Sequence, residues 1–366
     1  CVLSFFAATI ALAGAPIGNR WDKTKPISYT FSADTNEATK DLIREAMNRI
    51  QNSSCISFEE DGDSDQKLVI NNERSCESSE MGKESSNKPN EIAVIGCKSV
   101  VVFGHELLHM LGFAHEQSRS DRDDYLTFSP SVPEWAIERK APADTDNLGV
   151  PFNYGSAMMG SAWAYSEGRE EPTMQPKDMQ YTATMRQLHE IAFSDFLALK
   201  RYYKCEESCE SNPPLCENEG FPNPRGCSKC ICPPFFSGDL CKQSTLVKVD
   251  SEATFNYTVE PSYTGRCMAD ATWINHNPHT PTIFEGPPGS HLLVTITDIL
   301  QICKKECLSS SIEIVDGSDL RVAGKSFCCP SDASTTVLSS TNRVAIRASA
   351  PDCIRSYVFA TISVVH

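Results

Sequence analysis

The sequence predicts an α+β fold class in three successive parts. These are an α+β domain over 16–205, a small cysteine-rich module over 206–241 and a β-sandwich over 246–366. Three observations carry this reading. Helix and strand periodicities alternate before residue 205, cysteines crowd the short segment after it, and only strand patterns follow from Leu246 onward. A chain of 366 residues is also too long for one comfortable core.

The opening run CVLSFFAATIALAGA is apolar and rich in small residues. An Ala-x-Ala step places a cleavage after Ala13, so 1–13 reads as the end of a secretory signal peptide whose start lies outside this sequence. PISYTFS (26–32) alternates Ile27, Tyr29 and Phe31 and reads as a strand. In NEATKDLIREAMNRIQNSS, Ala38, Leu42, Ala46 and Ile50 repeat every fourth residue beside Ile43 and Met47, the stripe of an amphipathic helix. KLVINN and EIAVIG are two more strands, separated by a polar loop over 71–90. A helix is expected from about Val100 to Leu111, with Gly112 where a helix end favours a left-handed residue. The stretch 183–203 reads as one helix closing the first domain. After Cys205 the composition shifts to cysteine, glycine and proline with little apolar content, which folds only if cross-linked. HLLVTITDI, SIEIVDG, RVAIRASA and YVFATISVV then read as strands of a small antiparallel sandwich.

Of 17 cysteines, 13 lie between Cys205 and Cys353, a usage that fits an oxidising, secreted setting. The triplets at Asn52 (NSS) and Asn256 (NYT) are candidate glycosylation sites. A formal charge of −15 argues against nucleic acid and anionic membrane as partners, and also reads simply as good solubility. No later segment is long and apolar enough for a membrane span.

HELLHMLGFAHEQSRSDR (105–122) carries the chemistry. His105 and His109 are four apart, on one helix face, and can bind one ion together. Gly112 permits a sharp turn that returns His115 as a third ligand. Three neutral imidazoles with an open position suit one catalytic Zn2+, which brings the pKa of water toward roughly 7. Glu106, beside the first ligand, is placed to act as general base and then to protonate a leaving amine.

This stretch, continued as Arg119 to Tyr125, resembles the zinc signature of the astacin family of metalloendopeptidases, with Glu116 straight after the third histidine as that family's mark among the metzincins. The resemblance covers roughly 20–205. It implies a metzincin catalytic domain with bridges Cys55–Cys205 and Cys76–Cys97. It also implies that Glu116 forms a salt bridge with a new N-terminus once a pro-segment is removed, and no such segment is read ahead of the domain. In the family a Met-turn lies under the zinc and is followed by a tyrosine that stabilises the oxyanion. Here NYGSAMMGSAWAYS aligns Met158 with the turn methionine and Gly160 with the tyrosine, or, one residue on, Met159 and Ser161. Neither register supplies a tyrosine, a loss on the order of 2.7–4 kcal/mol for one such donor. Tyr154 and Tyr165 are the possible stand-ins.

The segment with CSKCIC and PPFFSGDLC resembles an EGF-like module. Six cysteines allow 15 pairings. The resemblance implies Cys209–Cys227, Cys216–Cys230 and Cys232–Cys241. The last part resembles a CUB domain through TWI after Cys267, SIEIVDG and SFCC; its six cysteines are left unpaired, and Ser310 in place of an acid argues against calcium. The domain order is similar to that of nematode astacin-type proteases. It implies a secreted zinc metalloendopeptidase acting on extracellular proteins or peptides of matrix, cuticle, eggshell or host tissue. The alternative is a weakened protease serving as an extracellular binding protein through its EGF-like and CUB modules.

Overall fold

In the computed structural model the described residues are 19–79, 81–84, 88–133, 146–166, 171–186, 189–210, 215–259, 281–308, 310–349 and 356–366. The signal-peptide reading and Cys267 and Cys353 lie outside them. The first half is built on β1 (Ile27–Phe31), α1 (Glu37–Ser53), β2 (Phe58–Glu60), β3 (Lys67–Ser75), β4 (Glu77–Ser78), β5 (Asn90–Ile95) and α2 (Val100–Met110). Their sheet runs β2-β1-β3-β5-β4, parallel except for β4, which pairs antiparallel with β5 through Glu77–Ala93 and Ser78–Ile92. Parallel strands need a crossover connection, and α1 provides the one between β1 and β2; α2 follows β5, and both helices share one core with the sheet. Asn36 caps α1 by accepting from the Thr39 N–H at 3.0 Å. The helix buries Ile43, Ala46, Met47 and Ile50 against Leu68, Ile70 and the apolar side of α2. Ala38, placed in the stripe by periodicity, is exposed in the first turn. The polar loop expected over 71–90 contains the edge strand β4, too short to show a pattern of its own.

The chain continues through β6 (Leu126–Phe128) and β7 (Met174–Pro176), an antiparallel pair, to α3 (Phe193–Tyr202). The helix expected over 183–203 is therefore only its second half; 182–186 are turns. Asp195 explains the late start. Its carboxylate accepts from the Ala192 N–H at 3.0 Å while also accepting from Ser156 and Ala157. Those contacts fix the first turn of α3 where the loop at 156–157 requires it. Cys55 and Cys205, 150 residues apart, are bridged, as are Cys76 and Cys97.

The cysteine-rich stretch holds the two-residue strands β8 (Phe221–Pro222) and β9 (Cys230–Ile231), with bridges 209–227, 216–230 and 232–241. Arg225 anchors it to the C-terminal end of α1, donating to the carbonyls of Gln51, Ser54 and Ile56.

The last part comprises β10 (Thr245–Lys248), β11 (Glu252–Val259), β12 (Thr282–Glu285), β13 (His291–Leu300), β14 (Ser311–Val315), β15 (Lys325–Phe327), β16 (Thr336–Leu338), β17 (Arg343–Ser349) and β18 (Ser356–Val365). Two sheets, β10-β12-β17-β14-β15 and β11-β18-β13-β16, face each other. Alternate residues meet between them, Leu292, Val294 and Ile296 of β13 against Ile312, Ile314 and Ile346. Two bridges, Cys303–Cys329 and Cys307–Cys328, close its described loops. All five residues of β14 are buried, including Glu313 on what should be the wet face. The first half of the chain covers that face. Asn52 and Asn256 are both exposed. Among the described residues no helix is long and apolar enough to cross a membrane.

Candidate metal centre

Helix α2 is apolar on nearly every side and sits inside the core, so His109 is buried with it and His105 is partly buried. Its C-terminus closes as a Schellman turn. The Phe113 N–H donates to the Leu108 carbonyl at 3.0 Å, and the Gly112 N–H to that of His109 at 2.8 Å. Gly112 has φ +103°, a region costly for any residue with a Cβ. That turn sends the chain back along the helix and brings His115 to the other two rings, with centroids 4.6 Å from His109 and 5.2 Å from His105.

The ligand atoms of His105, His109 and His115 all lie within 4.8 Å of one another. His105 Nδ1 faces the Ala157 carbonyl at 2.8 Å and His109 Nδ1 the Phe113 carbonyl at 2.7 Å. A carbonyl only accepts, so both Nδ1 atoms carry the proton and both Nε2 lone pairs face inward. His109 Nε2 and His115 Nε2 are 3.1 Å apart. Desolvation lowers the pKa of all three, His109 well below the usual value and His115 to about 4. Neutral imidazole is the form that binds metal. Three desolvated neutral nitrogens with no carboxylate among them fit zinc rather than calcium or magnesium.

Glu106 is 6% exposed, and burial raises its pKa to about 7 against donors from Ser78 of β4. Met158 lies in the same core cluster as Leu107, Leu108 and Phe113, and its carbonyl accepts from the Glu116 N–H at 2.9 Å. Met159 points instead into a second cluster with Phe152, Tyr154 and Met174. Glu116 accepts from the Asn153 N–H at 2.8 Å and from Arg119 at 3.2 Å; burial raises its pKa to about 7 although Arg119 pulls it down.

At Gly160 the space for a side chain is filled. An added Cβ would lie 2.9 Å from Gln117 Nε2 and 2.9 Å from Met174 Cε, and the Gly160 N–H donates to Gln117 Oε1. The Tyr154 hydroxyl donates to the Tyr125 carbonyl at 2.8 Å and its ring stacks on Tyr181, so it is committed to packing. Tyr165 is 44% exposed. Sequence reasoning passed over Gln117, Ser78, Asn153 and Asp195. Gln117 stood inside the motif, next to Glu116; the others carry no local signal, because their partners are distant in the chain.

A family model for Astacin, a peptidase family, matches residues 15–204, just over half of the chain. Zinc metalloproteinase nas-20 of Caenorhabditis elegans is 30% identical over 327 residues, covering 86% of this chain and 78% of the relative. Zinc metalloproteinase nas-29 of the same nematode is 28% identical over 334 residues, covering 87% of this chain and 60% of the relative. The chain also spans 55% of the length of zinc metalloproteinase dpy-31 of Brugia malayi, at 27% identity. Among solved structures, the hatching enzyme zinc-protease HCE-1 of medaka fish aligns with 51% of this chain and 98% of its own at 24% identity and TM-score 0.46. The chain belongs to the astacin family.

Proposed function

We propose that this chain is a secreted zinc-dependent metalloendopeptidase that hydrolyses peptide bonds of extracellular proteins. The observation that carries the reading is the convergence of three neutral imidazoles on one point with a buried carboxylate on the same helix, next to the first of them. His105, His109 and His115 would hold one zinc ion. Bound zinc supplies Lewis acidity, acidifying water and polarising a peptide carbonyl. Glu106 accepts the proton from the attacking water and returns it to the leaving amine, and a pKa near neutrality suits both transfers. Ala157 and Phe113 fix the rings of His105 and His109 through their carbonyls. Met158 floors the site, and Glu116 fastens the loop at Asn153.

Residues 16–205 would form the catalytic domain, 206–241 an EGF-like module and 246–366 a CUB domain. The three bridges of the cysteine-rich stretch and the two facing sheets support that division. The bridges also support an oxidising, extracellular location. A second reading, a binding protein with a weakened protease domain, draws on the glycine at 160. A quenched-peptide library, run with and without a zinc chelator, tests both. Chelator-sensitive cleavage that vanishes in Glu106→Gln supports the enzyme. Zinc bound at one per chain with no cleavage of any peptide supports the binding protein. His109→Ala should lose most of the metal, and full occupancy in that variant would sink the ligand assignment.

A further inference from the structure

The wet face of a sandwich should be wet, and here it is not. Lys325 and Ser326 of β15 are buried against Asp178, Gln180 and Thr184 of the first half, and the buried Glu313 of β14 lines one cleft with Asn153, Gly155 and Glu190. The contacts are polar and specific. The Ala323 N–H donates to Asn153 Oδ1 at 3.0 Å. The Thr184 hydroxyl donates to the Gly324 carbonyl at 2.9 Å and accepts from the Ser326 N–H at 3.0 Å. Ser161 donates to the buried Glu306, and His189 Nε2 to the Cys307 carbonyl. Lys325 pairs with Asp178 at 2.8 Å and Arg347 with Glu190 at 2.8 Å. The fit leaves no room for a larger residue, since a Cβ on Gly155 would collide with Ala323 Cβ.

The gripped loop is the one that orients the metal centre. Asn153 receives the sandwich on Oδ1, which also accepts from the Gly155 N–H at 2.9 Å, and it binds Glu116 through its own N–H. Ser156 and Ala157 are held by Asp195 of α3, and the Ala157 carbonyl receives His105 Nδ1. The loop is thus clamped between α3 and the sandwich, with a ligand-orienting carbonyl at its centre.

We infer that the C-terminal sandwich is an intramolecular clamp on the loop 153–161, with Asn153 and Ala323 as positioning residues, so that the metal centre depends on sandwich docking. A module that only recruits substrates has no need of contacts on the loop whose Ala157 carbonyl receives His105. This inference rests on the metallopeptidase reading, so one readout of its test is independent of activity.

The test uses the full chain and two variants, Ala323→Arg, which wedges the contact open from the sandwich side, and Thr184→Val, which deletes one hydroxyl at the joint. Hydrogen exchange is followed by mass spectrometry over 153–161, with zinc loss to a chelator and turnover of a short peptide measured in parallel. The expected result is faster exchange over 153–161 in both variants. Zinc loss should be faster, or turnover slower, by roughly 10- to 100-fold in Ala323→Arg, the usual cost of disturbing a ligand's support. The KM for the short peptide should stay nearly constant. If Ala323→Arg fails to fold, Thr184→Val decides alone. Exchange over 153–161 that matches the parent in a folded variant overturns the inference. So does an effect confined to the KM of a long protein substrate, which is the signature of recruitment. Failure of the metallopeptidase reading would show differently, as a parent chain that neither cleaves nor holds zinc while the exchange result stands.

Discussion

At Glu106, burial and chemistry act on the same proton. Its folded pKa of about 7 stands above the ordinary 4.5, so between those values the unfolded chain has released a proton that the folded chain keeps. Stability of the metal-free chain therefore falls as pH rises from 4.5 to about 7 and stays lower above that. Glu106→Gln removes the titration. It is expected to stabilise the metal-free chain at pH 8 by on the order of 3 kcal/mol and to change little in acid below the ordinary carboxylate range, as a melting series in chelator would record. The same variant should be unable to hydrolyse peptides, because an amide cannot accept the proton. Gly160 presents the opposite situation, a site filled rather than strained. Gly160→Tyr alone pushes Gln117 and Met174 aside and should cost about 1–3 kcal/mol, the usual range for overpacking. Pairing it with Gln117→Ala vacates that space. The double variant should recover the melting temperature, and its turnover number should exceed the parent's if the phenol reaches the oxyanion. A double variant as unstable as Gly160→Tyr would show that Gln117 is not what fills the space.

At the scale of elements, local and distant control separate cleanly. Helix α1 is set by its own residues, and Asn36→Ala should lower stability by about 1 kcal/mol, seen as a melting shift of a few degrees with no change in zinc content. Its apolar stripe was legible in the sequence for that reason. So was the metal motif, whose four key residues fall within one helix and the turn that ends it. The start of α3 was not legible, because Asp195 takes its partners from Ser156 and Ala157, nearly forty residues earlier. Strand β4 was hidden in a polar loop, since two residues show no alternation and exist as a strand only through β5. Alternation identified β14, yet could not tell that both of its faces would be buried. The contact between Gln117 and Gly160 spans 43 positions and left no trace in the local pattern.

Across the whole molecule, the junction between the two halves includes the pair Arg347–Glu190. Burial pushes the Glu190 carboxyl up, and the charge and hydrogen bond of Arg347 overcome this and hold it below its ordinary 4.5. A lowered carboxyl lends stability that is present above its unfolded pKa and is lost as pH falls through the folded value, so docking should weaken in acid below 4.5. The Glu190 side chain is 49% exposed, and screening keeps the effect small. Glu190→Gln should flatten that acid limb in a melting series while leaving the neutral value within about 1 kcal/mol. If the limb is unchanged, the pair is not what titrates. The bridge between Cys55 and Cys205 reaches further, into the order in which the protein is made. Cys55 leaves the ribosome 150 residues ahead of its partner, a wait of very roughly 10–30 s at ordinary synthesis rates. Through that interval β1, α1, β3 and α2 can form, but the thiol that must join them to the end of the half has nothing native to meet. Cys76 and Cys97 emerge in between, only 21 residues apart, and are the nearest wrong partners. In an oxidising compartment early oxidation would compete with correct closure, and a thiol–disulfide isomerase would then speed the arrival at the native pairing.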